Sequence, residues 1–122
     1  MRIFKNVFIV EADDNSRILF GTFLARDYQV LTASNMAEAV DVFMKNEIID
    51  LILINPAMPC SPKGKTFTEF VKERRPEQKI LVLTTNPEYS YIQALNDGFS
   101  DRILVPTGGK NLRAMARKII EK

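Results

Sequence analysis

The sequence contains no histidine and no tryptophan, and it has a single cysteine, Cys60. Without an imidazole, catalysis by a histidine acid or base and a histidine-ligated zinc site are both excluded. One cysteine cannot form an internal disulfide, which fits a reducing compartment. No apolar run approaches the length that a membrane-spanning helix needs. We therefore expect a protein of the cytoplasm that makes no membrane contact.

Neither basic nor acidic residues are in large excess over the other. There are 17 basic and 15 acidic residues, which gives a formal net charge of +2. This value is too small to indicate a nucleic-acid partner, and basic residues near the end of the chain also complement the dipole of a last helix. The length of 122 residues predicts one domain over residues 1–122 with a single core.

The most informative stretch is the run DLILINPAMP at residues 50–59. Its apolar part is typical of a strand that is buried on both faces, and it delivers one polar side chain, Asn55, to the end of that strand. In open α/β sheets, ligands and chemistry collect at the carboxyl ends of the strands. Asn55 is therefore the first candidate site residue.

Four further runs are predicted strands, and the one that ends at Thr84 has the same form, apolar inside and polar at its end. They lie at residues 7–10, 28–32, 80–84 and 102–105. Between the strands, apolar residues recur at helical spacing. The fourth helix is predicted to begin with Asn86 as its cap and Pro87 at its first position, and to stop at Gly98. Five strands that alternate with five helices predict an α/β fold, a doubly wound parallel sheet with helices on both faces.

The order and spacing of these pieces resemble a response-regulator receiver domain over nearly the full chain. The pieces that carry the resemblance are Glu11 with Arg17, Asn35 with Glu38, the strand at residues 50–54, Met58-Pro59, Thr84, and Gly98 ahead of Val105-Pro106. The resemblance implies a flavodoxin-like (CheY-like) fold with strand order 2-1-3-4-5. It also implies a two-component system, in which a kinase's phosphoryl group passes to one aspartate.

The receiver chemistry needs an acceptor carboxylate, two acids that hold magnesium, a hydroxyl and a lysine. At the acceptor position this sequence has Asn55, whose neutral amide cannot form an acyl phosphate. The acid pair is Glu11 and Ala12, so one ligand position has no side-chain oxygen. The lysine is replaced by Val105, and Thr84 alone remains as the hydroxyl.

These departures predict a degenerate pseudo-receiver that is not an enzyme and binds magnesium weakly or not at all. Such a domain would act by phosphorylation-independent contact with a protein partner. One alternative is a phosphoacceptor that uses another acid, such as Asp13 or Asp50. A less favoured alternative is a nucleotide-binding module through the loop Gly64 to Thr66, in which Pro59 occupies the place of the first P-loop glycine.

Aromatic and arginine residues gather towards the end of the chain, in the fourth helix and beyond. The residues that we assign to a partner face are Tyr89, Tyr91, Arg102, Arg113 and Arg117. Aromatic and arginine side chains are enriched at interface centres, although packing into the core would also explain the aromatics. We expect a protein of a signalling pathway as partner and a monomer or weak homodimer in solution. The resemblance also implies a cis peptide bond at Val105-Pro106.

Overall fold

The computed structural model describes residues 4–56 and 66–122, which form five strands and five helices. The strands are β1 (Asn6–Val10), β2 (Gln29–Ala33), β3 (Leu51–Ile54), β4 (Ile80–Thr84) and β5 (Asp101–Leu104). The helices are α1 (Asp14–Leu24), α2 (Met36–Lys45), α3 (Phe67–Arg74), α4 (Tyr91–Asn96) and α5 (Gly109–Ile120). All the strand pairs are parallel, in the order β2-β1-β3-β4-β5. The predicted fold class and strand order are confirmed.

The sheet is covered on both faces because successive residues of its strands point to opposite sides. Val7 and Ile9 of β1 join a core layer with α1 and α5, whereas Phe8 and Val10 join a second layer with α2 and α3. All four of these side chains are fully buried. Parallel sheets that are buried in this way have near-continuous apolar strands, which is the pattern that the sequence shows. None of the helices in the described part of the chain is long and apolar enough to span a membrane.

Four helices begin at a residue whose side chain accepts the backbone N–H three positions later. These cap residues are Asp13, Asn35, Thr66 and Ser90. A cap of this kind satisfies one of the N–H groups that the first helical turn leaves without a partner. Asn35 with Glu38 three residues later also has the spacing that is typical of a helix start in a sequence.

The fourth helix begins later than the sequence pattern predicts. Asn86 Oδ1 accepts the N–H of Glu88 at 3.0 Å in the loop before the helix. The helix itself starts after Ser90, which forms a reciprocal capping box with Gln93. The prediction that Asn86 caps this helix is therefore wrong. The capping box satisfies two backbone donors where an isolated asparagine satisfies one. The predicted end is confirmed, since Gly98 has a φ of +93°.

The parallel arrangement brings the carboxyl ends of the strands to one edge of the sheet. Val10 is level with Ile54 across β1 and β3, so the residues that follow them lie on neighbouring strands. At the other side of the edge, Thr84 of β4 is level with Leu104 of β5. The Val105-Pro106 bond that follows is cis, as the resemblance implied.

Phe67→Ala is expected to destabilise the fold strongly. The Phe67 ring lies edge-on to Phe8 and Phe43, with centroids 6.2 and 6.0 Å away, and it is 2% exposed. Removal of a buried ring at such a position costs about 3–5 kcal/mol in free energy of unfolding, measured by urea denaturation. Ile92→Ala is the control, because Ile92 is 62% exposed and its truncation should cost less than about 1 kcal/mol. Equal losses in the two variants would show that the second core layer is misplaced.

Candidate functional site

Asn55 and Glu11 form the centre of the carboxyl edge. The Asn55 backbone N–H donates to the Val10 carbonyl at 3.1 Å, which extends the pairing of β1 and β3 by one residue. The Asn55 amide nitrogen, Nδ2, donates to both carboxylate oxygens of Glu11, at 2.9 and 3.2 Å. We call this pair the Glu11–Asn55 clasp. Glu11 is only 5% exposed, and a carboxylate at that depth needs donors of this kind.

The other acid of the loop between β1 and α1 is also engaged by the protein. The Asp13 backbone N–H donates to Glu11 Oε2 at 3.3 Å, and its carboxylate accepts the Ser16 N–H at 2.8 Å as the cap of α1. The Ser16 backbone donor is the main reason that the pKa of Asp13 lies below its usual value. Ala12 between them is exposed and has no side-chain oxygen.

Arg17 belongs to this site although the sequence analysis gave it no role there. Its Nη1 donates to the Glu11 carbonyl at 3.0 Å and to the Ala12 carbonyl at 3.4 Å, and Nη2 lies 2.5 Å from the Asp14 carboxylate. The guanidinium therefore folds back over the acidic loop. The available sequence signal was an arginine four residues after the helix cap Asp13, a spacing that returns the side chain to the start of the helix.

The β4 and β5 side of the edge carries a hydroxyl and an aliphatic side chain. Thr84 is half-buried, and its Oγ1 accepts the Asn86 N–H at 3.1 Å. The Thr84 carbonyl accepts the Val105 N–H at 2.8 Å. The Val105 side chain packs against the core layer below β5. The structure thus brings Glu11, Asn55, Thr84 and Val105 to one edge, where the sequence analysis placed them.

The residues of the two alternative functions lie elsewhere. Asp50 precedes β3 at the opposite edge, where its Oδ2 accepts the Asn6 N–H at 2.7 Å. Thr66 is the cap of α3, and its hydroxyl accepts the Glu69 N–H at 3.1 Å. The rest of that loop, from Gly64 to Lys65, lies outside the described residues. Within residues 4–56 and 66–122, no group of three or more Asp, Glu or Cys side chains is arranged to hold a metal ion.

Comparison with known proteins agrees with this geometry. The sequence profile of the response regulator receiver domain matches residues 7–117. The chain belongs to this family. It is a receiver domain of two-component signal transduction.

Two curated relatives contain a region similar to this receiver. It is 29% identical to the sensor histidine kinase TmoS of Ectopseudomonas mendocina and 28% identical to the oxygen regulatory protein NreC of Staphylococcus haemolyticus. These matches cover 93% and 91% of the chain, but only 12% of the kinase and 54% of NreC. The chain therefore spans about a tenth and about half of the curated relatives it matches. Among solved structures, a receiver domain protein of Clostridium thermocellum shares the fold, with a TM-score of 0.83, 20% identity, and coverage of 96% and 94% of the two chains.

The five residues of the expected partner face lie in two separate regions of the structure. Arg102 Nε donates to the Tyr89 carbonyl at 3.2 Å, and Arg102 Nη1 lies 3.1 Å from Asp101. Tyr91 is 37% exposed and borders a cleft between α4 and α5 together with Lys118. Tyr89, Tyr91 and Arg102 thus lie around α4 and β5, as predicted.

The two arginines of α5 lie on the other side of that helix. Arg117 is close enough to act electrostatically on the Tyr28 phenol, next to β2. Arg113 is four residues before Arg117 and so shares its side of α5. The α5 residues that line the clefts beside β5 are instead Asn111, Met115, Lys118, Ile119 and Lys122. Spacing alone did not reveal which side of α5 would face α4.

A double-mutant cycle on Glu11→Ala and Asn55→Ala is expected to give a coupling free energy of about 1–3 kcal/mol. Each single change removes the hydrogen bonds between these two side chains, of which the Glu11 carboxylate is buried. The free energy of unfolding would be measured by urea denaturation for the four proteins. Additive effects of the two changes would contradict the clasp. Asp41→Ala with Lys45→Ala is the matched control, because that exposed ion pair should couple by less than about 1 kcal/mol.

Tyr89 is expected to titrate well above an ordinary phenol. Burial, followed by a 2.6 Å hydrogen bond to the Asp97 carboxylate, raises the pKa of Tyr89 from 10.0 to about 12. A raised folded-state pKa means that this stabilisation is complete below the unfolded pKa of 10.0 and is lost as pH rises towards about 12. The pKa of Tyr89 can be measured from phenolate absorbance in the Tyr28→Phe/Tyr91→Phe protein, in which Tyr89 is the one remaining tyrosine. Titration at the ordinary value would contradict this environment, and Asp97→Ala should lower the pKa of Tyr89 only part of the way, because the burial remains.

Proposed function

We propose that this receiver signals by binding a protein partner and does not accept a phosphoryl group. The observation that carries the proposal is the Glu11–Asn55 clasp at the acceptor position of the family. An amide nitrogen that donates to a carboxylate at 2.9 Å is a poor nucleophile, and it has no negative charge to attack phosphorus. The domain is then a pseudo-receiver with no catalytic residue.

The residues present do not fit the magnesium ion that the family resemblance implies. Magnesium prefers several hard oxygen ligands in octahedral geometry. Here both Glu11 oxygens accept the Asn55 amide, the Asp13 carboxylate caps α1, and Ala12 offers no side-chain ligand. An ion would have to displace these hydrogen bonds and would gain one well-placed carboxylate in return. We propose that magnesium binds weakly or not at all.

Neither alternative function gains support from the position of its residues. An aspartyl phosphate on Asp13 would break the cap of α1, and no lysine is present at position 105 to assist it. Asp50 lies at the opposite edge of the sheet from Thr84. For the nucleotide alternative, Thr66 already uses its hydroxyl at the start of α3.

Incubation with acetyl phosphate and magnesium is expected to leave the protein unlabelled, as measured by intact-mass spectrometry. Asn55→Asp should also remain unlabelled, because Ala12 and Val105 are unchanged. The triple variant Ala12→Asp/Asn55→Asp/Val105→Lys restores an acid pair, an acceptor and a lysine, and it serves as the positive control. Efficient labelling of the natural sequence would overturn the proposal. Efficient labelling of Asn55→Asp alone would show that the rest of the pocket still supports phosphoryl transfer without an acid at position 12 and a lysine at position 105.

An amide NMR titration tests ligand binding at the same site. Magnesium is added first and then beryllofluoride, which mimics a phosphoryl group. We expect no saturable shift at Glu11, Asn55 or Thr84 at millimolar ligand, and unchanged signals in the Arg102 strand. Saturable shifts that spread from Asn55 to Arg102 would show that the phosphoryl switch still operates.

A further inference from the structure

A cavity lies over the second core layer, between α3 and the end of α4. Its volume is about 510 Å³, against about 240 and 230 Å³ for the clefts beside β5. Its walls come from the ends of β1 and β3, the start of α2, the helix α3 and the end of α4. We call it the α3–α4 cavity. Pockets that bind small molecules commonly have volumes of about 300–1,000 Å³.

The floor of the α3–α4 cavity is apolar. Val10, Ile54 and Phe67 belong to the second core layer, and the half-buried side chains of Met36 and Phe99 pack against that layer. Aromatic rings and a thioether are favourable neighbours for an aromatic ring. The floor therefore favours an apolar ligand that contains such a ring.

The charged groups at the border of the cavity do not favour an anion. Lys72 Nζ donates to the Gln78 carbonyl at 2.6 Å, and burial lowers the pKa of Lys72. The Asp97 carboxylate accepts the Tyr89 hydroxyl at 2.6 Å, and Glu69 is exposed. Among the described residues of the lining there are thus two acids and one cation, and the cation is engaged within the protein. An anionic ligand such as a nucleotide is disfavoured by this balance.

The cavity extends to the acceptor position of the family. The Asn55 side chain lines it and also donates to Glu11 in the clasp. Gly98 and Thr68 line it as well, and a Cβ placed on Gly98 would lie 3.8 Å from the Thr68 methyl carbon. A molecule that fills the cavity would therefore contact both the acceptor position and the junction of α3 with the end of α4.

We propose that the α3–α4 cavity binds an uncharged, largely apolar molecule that contains an aromatic ring. The inference deepens the proposed function, on which one part of it rests: a receiver that accepts no phosphoryl group could take up its signal here as a small molecule. The apolar floor would cover the ring, and contact with Asn55 would bring the occupant to the Glu11–Asn55 clasp. Because burial of apolar surface drives such binding, affinity should depend on the area of the ring system and not on a negative charge.

The test is an amide NMR titration of the full chain with indole and with coumarin, each compared with its 3-carboxylate. We expect saturable shifts with the two neutral molecules, with a Kd of about 1 mM or below, which is an ordinary affinity for ligands of this size. The shifts should centre on Asn55, Thr68, Gly98 and Phe99. The carboxylates should bind at least about 3-fold more weakly, because two acids border the cavity.

Three results would each overturn the inference. They are the absence of saturable binding by both neutral probes, shifts that centre elsewhere, and binding of the carboxylates that is equal to or tighter than that of the neutral molecules.

Matched variants separate the cavity from the rest of the surface. Thr68→Phe places a ring in the cavity and should weaken binding of the better neutral probe by about 10-fold or more. Thr22→Phe makes the same change at an exposed position of α1 that does not line the cavity, and it should leave the Kd unchanged. Equal losses in the two variants would overturn the site. If Thr68→Phe does not fold, as judged by urea denaturation, Thr68→Leu tests the same block with a smaller side chain.

Lys72→Met tests whether recognition is apolar or ionic. The variant keeps an unbranched apolar stem and removes the charge, so the Kd of the neutral probe should stay within about 2-fold. A loss of about 10-fold or more in a folded Lys72→Met protein would show that the charge takes part in binding and would contradict an uncharged, apolar ligand.

Failure of this inference can be distinguished from failure of the proposed function. The titration uses no phosphoryl donor, so its result depends only on the cavity of the unmodified protein. A chain that is labelled by acetyl phosphate and still binds indole or coumarin in the cavity would lose the proposed function but keep the site. A chain that stays unlabelled and binds neither probe would keep the proposed function and lose the site.

Discussion

Burial of the central strands on both faces is the constraint on which the rest of the structure depends. Strands β1, β3 and β4 contact helices above and below, so little more than their ends meets water. Polar side chains of these three strands therefore lie only at the strand ends. Glu11, Asn55 and Thr84 occupy those positions at one edge, and Asp50 occupies one at the other. The site is thus located by the same apolar pattern that forms the core.

At this boundary a carboxylate must be compensated by nearby donors. The Glu11 carboxylate receives the Asn55 amide and the Asp13 N–H, and Arg17 holds the carbonyls of the same loop. A site with further acids would need an external cation to offset their charge. Loss of the acids at positions 12 and 55 together with the lysine at position 105 leaves a set of groups that the protein compensates by itself. This charge balance supports the proposal that the pocket does not depend on magnesium.

Three features could be predicted from the sequence: the strands, their order along the chain and the position of Asn55. They depend on local apolar runs and on the rule for parallel crossovers. The start of α4 could not, since Asn86 and Ser90 are both good caps and the choice depends on the reciprocal bonds with Gln93. The role of Arg17 required the return of its side chain over the loop. The position of Arg117 depended on the rotation of α5 against the sheet, which the packing of the whole layer sets.

The site and the surface formed by α4 and β5 are joined by the loop between β4 and α4. Thr84 Oγ1 accepts the Asn86 N–H at the start of this loop, and the Tyr89 carbonyl accepts Arg102 Nε near its end. Arg102 is also paired with the buried Asp101, so two contacts fix its guanidinium against β5. A ligand can shift a conformational equilibrium only if it binds two states with different affinity. Arg102 is held in this way without a partner, so the ordering of its side chain would add little to the cost of binding one at this surface.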